Sequence, residues 1–203
     1  MSQSDGSLLA PEQRMLWSEG MPLQDRIQYA CGRNAWDGWT NTDFFDAHSY
    51  PTGEFPEELI GRVYHVDLAS RHPFPSDSFE YAYTEDFIEH LSQKDAITFL
   101  FEARRCLKPG GVLRVSTPGI QGVMFRHYYD RQFEDLAQEH YQCFDRWGHI
   151  HLFSHDTLRA VALAVGFSRY EEVVFGRSKH EILNGIDTRA EQIDFNIIAE
   201  LTK

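Results

Sequence analysis

Residues 26–43 read RIQYACGRNAWDGWTNTD. Arg26–Cys31 is a short β-like run that stops at Gly32, and a glycine there lets the backbone bend sharply and approach a ligand closely. A second β-like run, Trp39–Phe45, carries Asp43. An acid at the tip of a second strand is where doubly wound α/β sheets grip ribose hydroxyls.

The same alternation extends outward from this stretch. Residues 62–67, RVYHVD, read as a third strand that ends on Asp67, with Leu68 next. Pro73, Phe74 and Pro75 make a stiff turn, and Phe79–Tyr83 reads as a fourth strand. Residues 91–107 carry Leu91, Ala96, Ile97, Leu100, Ala103 and Leu107 at helical spacing, and Pro109, Gly110 and Gly111 break that helix. Val112–Ser116 is a fifth strand. Ser154 or Asp156 caps a helix through Val165, which Gly166 ends. Residues 169–176 and 193–201 read as two late strands. The pattern predicts a Rossmann-like α/β fold, a mostly parallel sheet with crossover helices, in a single domain over 23–203. An N-terminal extension, 1–22, precedes it; residues 1 to about 10 read as disordered and Pro11–Glu19 as a short helix. The first crossover, Arg33–Gly38, is too short for a helix. A loop is expected there, with Trp36 or Trp39 walling the adjacent pocket.

Composition narrows the partners. The chain has 203 residues, 42% hydrophobic, enough to bury a core without disulfides. Its net charge is −12 and no basic run occurs, which argues against nucleic acid and against an anionic membrane surface. Three cysteines, Cys31, Cys106 and Cys143, form no disulfide or zinc pattern, and a reducing cytoplasm is expected. The N-terminus shows no signal peptide, and no apolar run approaches the ~20 residues of a membrane span.

Four segments, ACGRNAWDGWTNTD, VDLASRHPFPSDSFEYAY, TEDFIEHL and EARRCLKPGGVLRVSTP, stand in this order. Together they resemble class I S-adenosylmethionine-dependent methyltransferases, most closely a small bacterial subgroup. Its pattern runs L-N-L-G-C-G, G-W-x-N-x-D, D-L-x-x-x-P-F-x-D-x-S-F-D, L-E-H-L and R-x-L-K-P-G-G-x-L-R-x-x-x-P. The likeness is strong over 26–118 and continues through HIHLFSHDTLRAVALAVGF and the C-terminal DFNIIAELTK. It implies a seven-stranded sheet whose last strand is antiparallel, with S-adenosyl-L-methionine as cofactor. It also implies that Ala30, Cys31 and Gly32 lie against the methionine part, that Asp43 binds the ribose, that Asp67 and Leu68 frame the adenine, and that Thr84 and Glu85 lie beside the sulfonium and its carboxylate. One departure stands out: the family's G-C-G is A-C-G here, which places a methyl group at Ala30.

The segment after the fifth strand, about 119–150, is too long for an ordinary loop and too aromatic for disorder, so a lid over the site is expected. With its flank it holds His127, His140, His149, His151 and His155. If the acceptor is a hydroxyl, a histidine is the natural proton acceptor. His149 and His151 lead, with His127 and His140 behind, and Asp130 or Asp145 could orient one of them. If 149–151 is extended, His149 and His151 face one side, but no third ligand is fixed by spacing, so no metal is expected. His90 is read as packing at a helix start. The polar segment Arg177–Arg189 could touch substrate or a second subunit, which leaves a homodimer open. The expected reaction is methyl transfer to an oxygen or nitrogen of a small molecule, with sugars and secondary metabolites favoured by analogy. A non-catalytic cofactor-fold module is the rival, motivated by Ala30 and the short crossover. A nicotinamide dehydrogenase is set aside, since C-G-R-N-A-W lacks G-x-G-x-x-G.

Overall fold

Seven short strands make one sheet in the order β3-β2-β1-β4-β5-β7-β6. They are β1 (Arg26–Tyr29), β2 (Thr40–Asp43), β3 (Val63–His65), β4 (Phe79–Glu85), β5 (Leu107–Pro118), β6 (Arg169–Glu172) and β7 (Asn196–Thr202). Pairing is parallel from β3 through β5, and β7 runs antiparallel to both β5 and β6. This is the Rossmann-like sheet, with its last strand reversed, that the sequence predicts. The computed structural model describes residues 23–44, 59 and 61–203. The 1–22 extension, its 11–19 helix and the Phe45 end of the second strand lie outside them.

Helix α1 (Gln93–Cys106) starts at Ser92, whose hydroxyl accepts from the Asp95 amide at 3.2 Å. It buries Ala96, Phe99, Leu100, Ala103 and Cys106. These meet Ile27, Ala82, Leu113, Val115 and Ala199 in the main core, which also takes Leu158 and Ala162 from α4 (His155–Ala164). Ser154 caps α4 through a reciprocal box with Thr157. Alternation along β5 sends Arg114 to the opposite face from Leu113 and Val115. There it is fully buried and donates to Asp187 and Glu200. The β6–β7 connection supplies Asp187, so it covers that face of the sheet.

Two sequence readings are refined. Leu107 already pairs with Phe79, residues 108–111 bulge out, and Val112 resumes against Tyr81. A Cβ on Gly111 would meet the Lys108 carbonyl oxygen at 2.9 Å, so that bulge needs a glycine. The first crossover is a loop, as expected, but its tryptophans do not wall the large pocket beside Gly32. Trp36 packs on Tyr83 and edge-on to Trp39, and both line a small separate cavity. Asn41 holds them there: its amide nitrogen donates to the Trp36 and Trp39 carbonyls, and its Oδ1 accepts from the Trp36 amide.

The 119–150 segment, which shows no clear periodicity in the sequence, is largely helical. It forms α2 (Ile120–Tyr128), α3 (Leu136–His140) and a π turn over Tyr141–Asp145. The periodicity is hidden because the pieces are short and bury little: Met124, Phe125, Phe133 and Tyr141 are exposed. A small second core, Val123, Cys143 and Leu152 with Phe144 and Phe195, holds them. Gly122 allows the approach, since a Cβ there would sit 2.4 Å from the Phe195 Cα. All three cysteines are buried and free. No helix among the described residues is long and apolar enough to cross a membrane.

Candidate active site

The end of β1 turns through two left-handed residues, Ala30 at φ 51° and Gly32 at φ 54°. The Cys31 amide donates to the Thr42 carbonyl at 2.9 Å, which ties this bend to β2. The Gly32 amide donates to Asp43 Oδ2 at 2.6 Å, and the Phe44 amide to Oδ1 at 2.7 Å. Two backbone amides therefore aim the carboxylate at the strand tip. A cavity of about 930 Å³ opens beside it, lined by Ala30, Cys31, Gly32, Asp43 and Glu85 among others. A Cβ built on Gly32 meets none of the described residues within 4 Å, so among them its backbone faces open space. Burial pushes the Cys31 thiol well above its usual range, which leaves it un-ionised.

Three other predicted residues, Thr84, Asp67 and Leu68, fall outside that lining. Thr84 is buried within β4 and lines neither large cavity. Glu85 lines the cavity, but its carboxylate also accepts from the Thr188 amide at 3.1 Å and from the Thr188 hydroxyl. It thereby pins the β6–β7 connection, and Thr188 and Arg189 form the facing wall. Asp67 is exposed and Leu68 buried, and neither is in the described lining. Asp67 lies two residues past His65, the pairing partner of Asp43, so it shares the same sheet edge. Its Oδ1 accepts from the Ala69 amide at 2.9 Å.

A second cavity, about 430 Å³, adjoins the first under α2 and the π turn. The two share Asp86, His90, Trp147 and Arg189. Asp86 follows β4 at φ 49°, a left-handed position uncommon for residues other than glycine, and such residues gather at functional sites. Its carboxyl is pushed above the usual range by burial, against opposing hydrogen bonds from Gln192 and Asn196 and the charge of Arg189. Glu89 is fully buried at the side of this cavity. Burial, then the nearby Asp86 carboxylate, raise its carboxyl to about 8.

His149 and His127 line this second cavity. His149 stacks edge-on near His90, ring centroids 5.2 Å apart, and burial followed by that neighbour lowers it to about 4. His127 Nδ1 lies 2.9 Å from Glu139 Oε2, so Glu139 orients it rather than Asp130 or Asp145. His151 lines neither cavity; its ring packs edge-on against Phe153. The reason is local. The Ile150 and His151 amides both donate to the Glu89 carbonyl, which an extended strand does not allow, so His149 and His151 do not share a face. His140 sits 3.2 Å from the Tyr128 hydroxyl, outside both cavities.

The sequence reading did not place Asp86, Glu89, His90 or Trp147 in the site, and it reached Arg189 only as the end of a segment that could touch substrate. TEDFIEHL holds three of them and could have shown them as the end of the central strand, where open α/β sheets bind ligands. Trp147 and Arg189 reach the site only through tertiary folding. The first cavity fits an adenosyl amino acid. It offers an amide-held carboxylate for a diol, an open glycine backbone for a close approach, and a volume within the usual range for cofactor sites.

Residues 27–172 match the profile of a protein family described as a methyltransferase domain. No curated protein matches in sequence. Among solved structures, a SAM-dependent methyltransferase from Archaeoglobus fulgidus is 14% identical at a TM-score of 0.56, covering 89% of this chain and 86% of that one. A possible histamine N-methyltransferase from Thermotoga maritima is 17% identical at 0.57, covering 90% and 84%. The Haemonchus contortus phosphoethanolamine N-methyltransferase 2, solved with S-adenosyl-L-methionine, is 16% identical at 0.51, covering 91% of this chain and 49% of its own. At these identities the likeness is one of fold.

Proposed function

This chain belongs to the methyltransferase-domain family and is an S-adenosylmethionine-dependent enzyme, and from that premise we propose that it methylates an oxygen or nitrogen of a small molecule held in the second cavity. The observation that carries the reading is the pair of cavities that meet at Asp86, His90, Trp147 and Arg189. When bound, S-adenosylmethionine supplies an electrophilic methyl group. The chain's own work is to place an acceptor against it, and holding two reactants in line removes a large part of the barrier to such a displacement.

In this reading Ala30, Cys31 and Gly32 hold the methionine end, and Asp43 holds the ribose hydroxyls. Asp67 and Leu68, at the same sheet edge, frame the adenine. Glu85 holds Thr188 and Arg189 as the opposite wall, with Thr84 packed behind it. His149 and His127 are the groups offered to the acceptor's leaving proton, since both face the second cavity. His149 is neutral at pH 7, with a pKa of about 4, and so accepts a hydrogen bond. The second cavity mixes Glu89 and Glu191 with Arg126 and Arg146, which suits a polar acceptor. Sugars and secondary metabolites remain the favoured class. A merely cofactor-binding module has no use for that second cavity.

Calorimetry with S-adenosylmethionine tests the assignment. The protein should bind one equivalent, and Asp43→Ala should weaken binding more than tenfold, over about 1.4 kcal/mol. Unchanged affinity in the variant would sink the ribose role of Asp43. Absence of binding in the parent protein would sink the cavity assignment.

A further inference from the structure

Glu89 has no exposed surface, and its Oε1 has no hydrogen-bond partner among the described residues. Burying a carboxylate oxygen without a partner is unfavourable unless a proton or a cation meets it. The rest of the side chain is held still: Oε2 accepts from the Thr117 hydroxyl at 2.8 Å. Oε1 stands 3.8 Å from His90 Nε2. The His90 ring is set by Nδ1, which lies 3.3 Å from the Gly148 carbonyl oxygen. A carbonyl only accepts, so Nδ1 is the donor in that contact and Nε2 is the ring nitrogen on the Glu89 side.

His149 completes the group. One ligand atom from each of Glu89, His90 and His149 lies within 4.8 Å of the others. The backbone joins them as well. The Glu89 carbonyl accepts from the Ile150 amide at 2.7 Å and from the His151 amide at 3.1 Å, which fastens the His149 segment to Glu89. Partners such as Thr117 and Gly148 are the outer-shell contacts that orient metal ligands.

We propose that Glu89, His90 and His149 form a binding site for a divalent transition-metal ion in the wall of the acceptor cavity. Two imidazoles and one carboxylate suit Zn²⁺, Mn²⁺, Fe²⁺ or Co²⁺ better than Mg²⁺ or Ca²⁺, which prefer oxygen throughout. Bonds of about 2.1 Å require the side chains to close by on the order of an ångström, a shift open to His90, which is exposed. Three protein ligands leave further positions facing the cavity. A hydroxyl of the acceptor fits there, and a metal-bound hydroxyl ionises more readily. That choice of a hydroxyl acceptor rests on the acceptor-cavity reading above; the ion site itself does not. With the ion bound, His149 binds metal rather than a proton.

Chelator-treated protein titrated separately with MnCl₂ and ZnCl₂, followed by calorimetry, tests the site. The expected result is one ion per chain, with at least tenfold weaker binding in His149→Ala and Glu89→Gln and parental binding in His151→Ala. His90→Ala replaces Glu89→Gln if circular dichroism shows the latter unfolded, because His90 is exposed. The proposal is overturned if neither metal binds at one per chain, or if the ligand variants bind like the parent. Titrating the metal-free protein with S-adenosylmethionine separates the two readings: cofactor binding without any ion site overturns this inference and leaves the methyltransferase assignment standing.

Discussion

Ala30 shows how one side chain can work against a well-built turn. It occupies φ 51°, where an L-residue is disfavoured by roughly 1–2 kcal/mol and glycine is at ease. Ala30→Gly should therefore stabilise the protein by about 1 kcal/mol, less the extra chain entropy a glycine loses on folding. Urea titration would show a higher midpoint at unchanged slope. A midpoint at or below the parent's would mean that the strain is relieved elsewhere in the turn. The departure from G-C-G was legible in the sequence, but its sign was not, because sequence carries no φ. The same gap explains Asp86. Gly32 and Asp43 could be read because a glycine after one strand and an acid at the tip of the next have a known meaning. Asp86 is one more acid in TEDF until its left-handed backbone and its place between two cavities are seen.

Elements dock here through polar clamps as much as through apolar faces. The β3–β4 connection lies on α1, where Arg105 donates to the His72 and Phe74 carbonyls and to Glu102. Glu102 Oε2 in turn accepts from the His72 amide at 3.0 Å. This holds the His72 ring in the core beside Tyr29 and Phe99. Burial lowers its pKa to about 4, so the folded protein keeps it neutral while the unfolded chain protonates it near 6.5. The neutral form is favoured only in the fold, so the stabilisation is complete above pH 6.5 and drains away as pH falls toward 4. The loss by pH 4 is on the order of 3 kcal/mol. Comparing unfolding free energies of parent and His72→Gln from pH 7 to 4.5 checks this. The parent should fall more steeply by up to about 1.4 kcal/mol per pH unit, and parallel curves would remove His72 as the cause. Elements that bury a regular stripe, such as α1, were legible from spacing alone. Helix α2 was not, because most of its apolar side chains face outward and its inner contact is a bare Gly122 against Phe195.

At the scale of the whole molecule, the sheet has an apolar face under α1 and α4 and a charged one under the β6–β7 connection. Arg114, Asp187 and Glu200 are all buried on the charged side. The Arg114 guanidinium donates to Asp187 Oδ1 at 2.8 Å, to Glu200 Oε1 at 2.8 Å, and to the Arg177 and Val174 carbonyls. Asp187 also accepts from the Gly176 amide at 2.7 Å. Its neighbours Thr188 and Arg189 line the first cavity, so one buried triad ties the packing of the sheet to that cavity's wall. The sequence showed Arg177–Arg189 only as a polar connection, because nothing local marks Asp187 as the partner of a strand arginine 73 residues away. Removing one member of such a set leaves charge buried without its partner, which typically costs about 3–5 kcal/mol. Asp187→Ala should lose that much stability in urea and should also weaken S-adenosylmethionine binding. Replacing all three with apolar residues of similar size should cost less stability than the single change, because no charge is then stranded. If the triple replacement proves the more damaging, the triad is a net source of stability. If Asp187→Ala unfolds more readily yet binds cofactor like the parent, the β6–β7 connection shapes the fold without shaping the site.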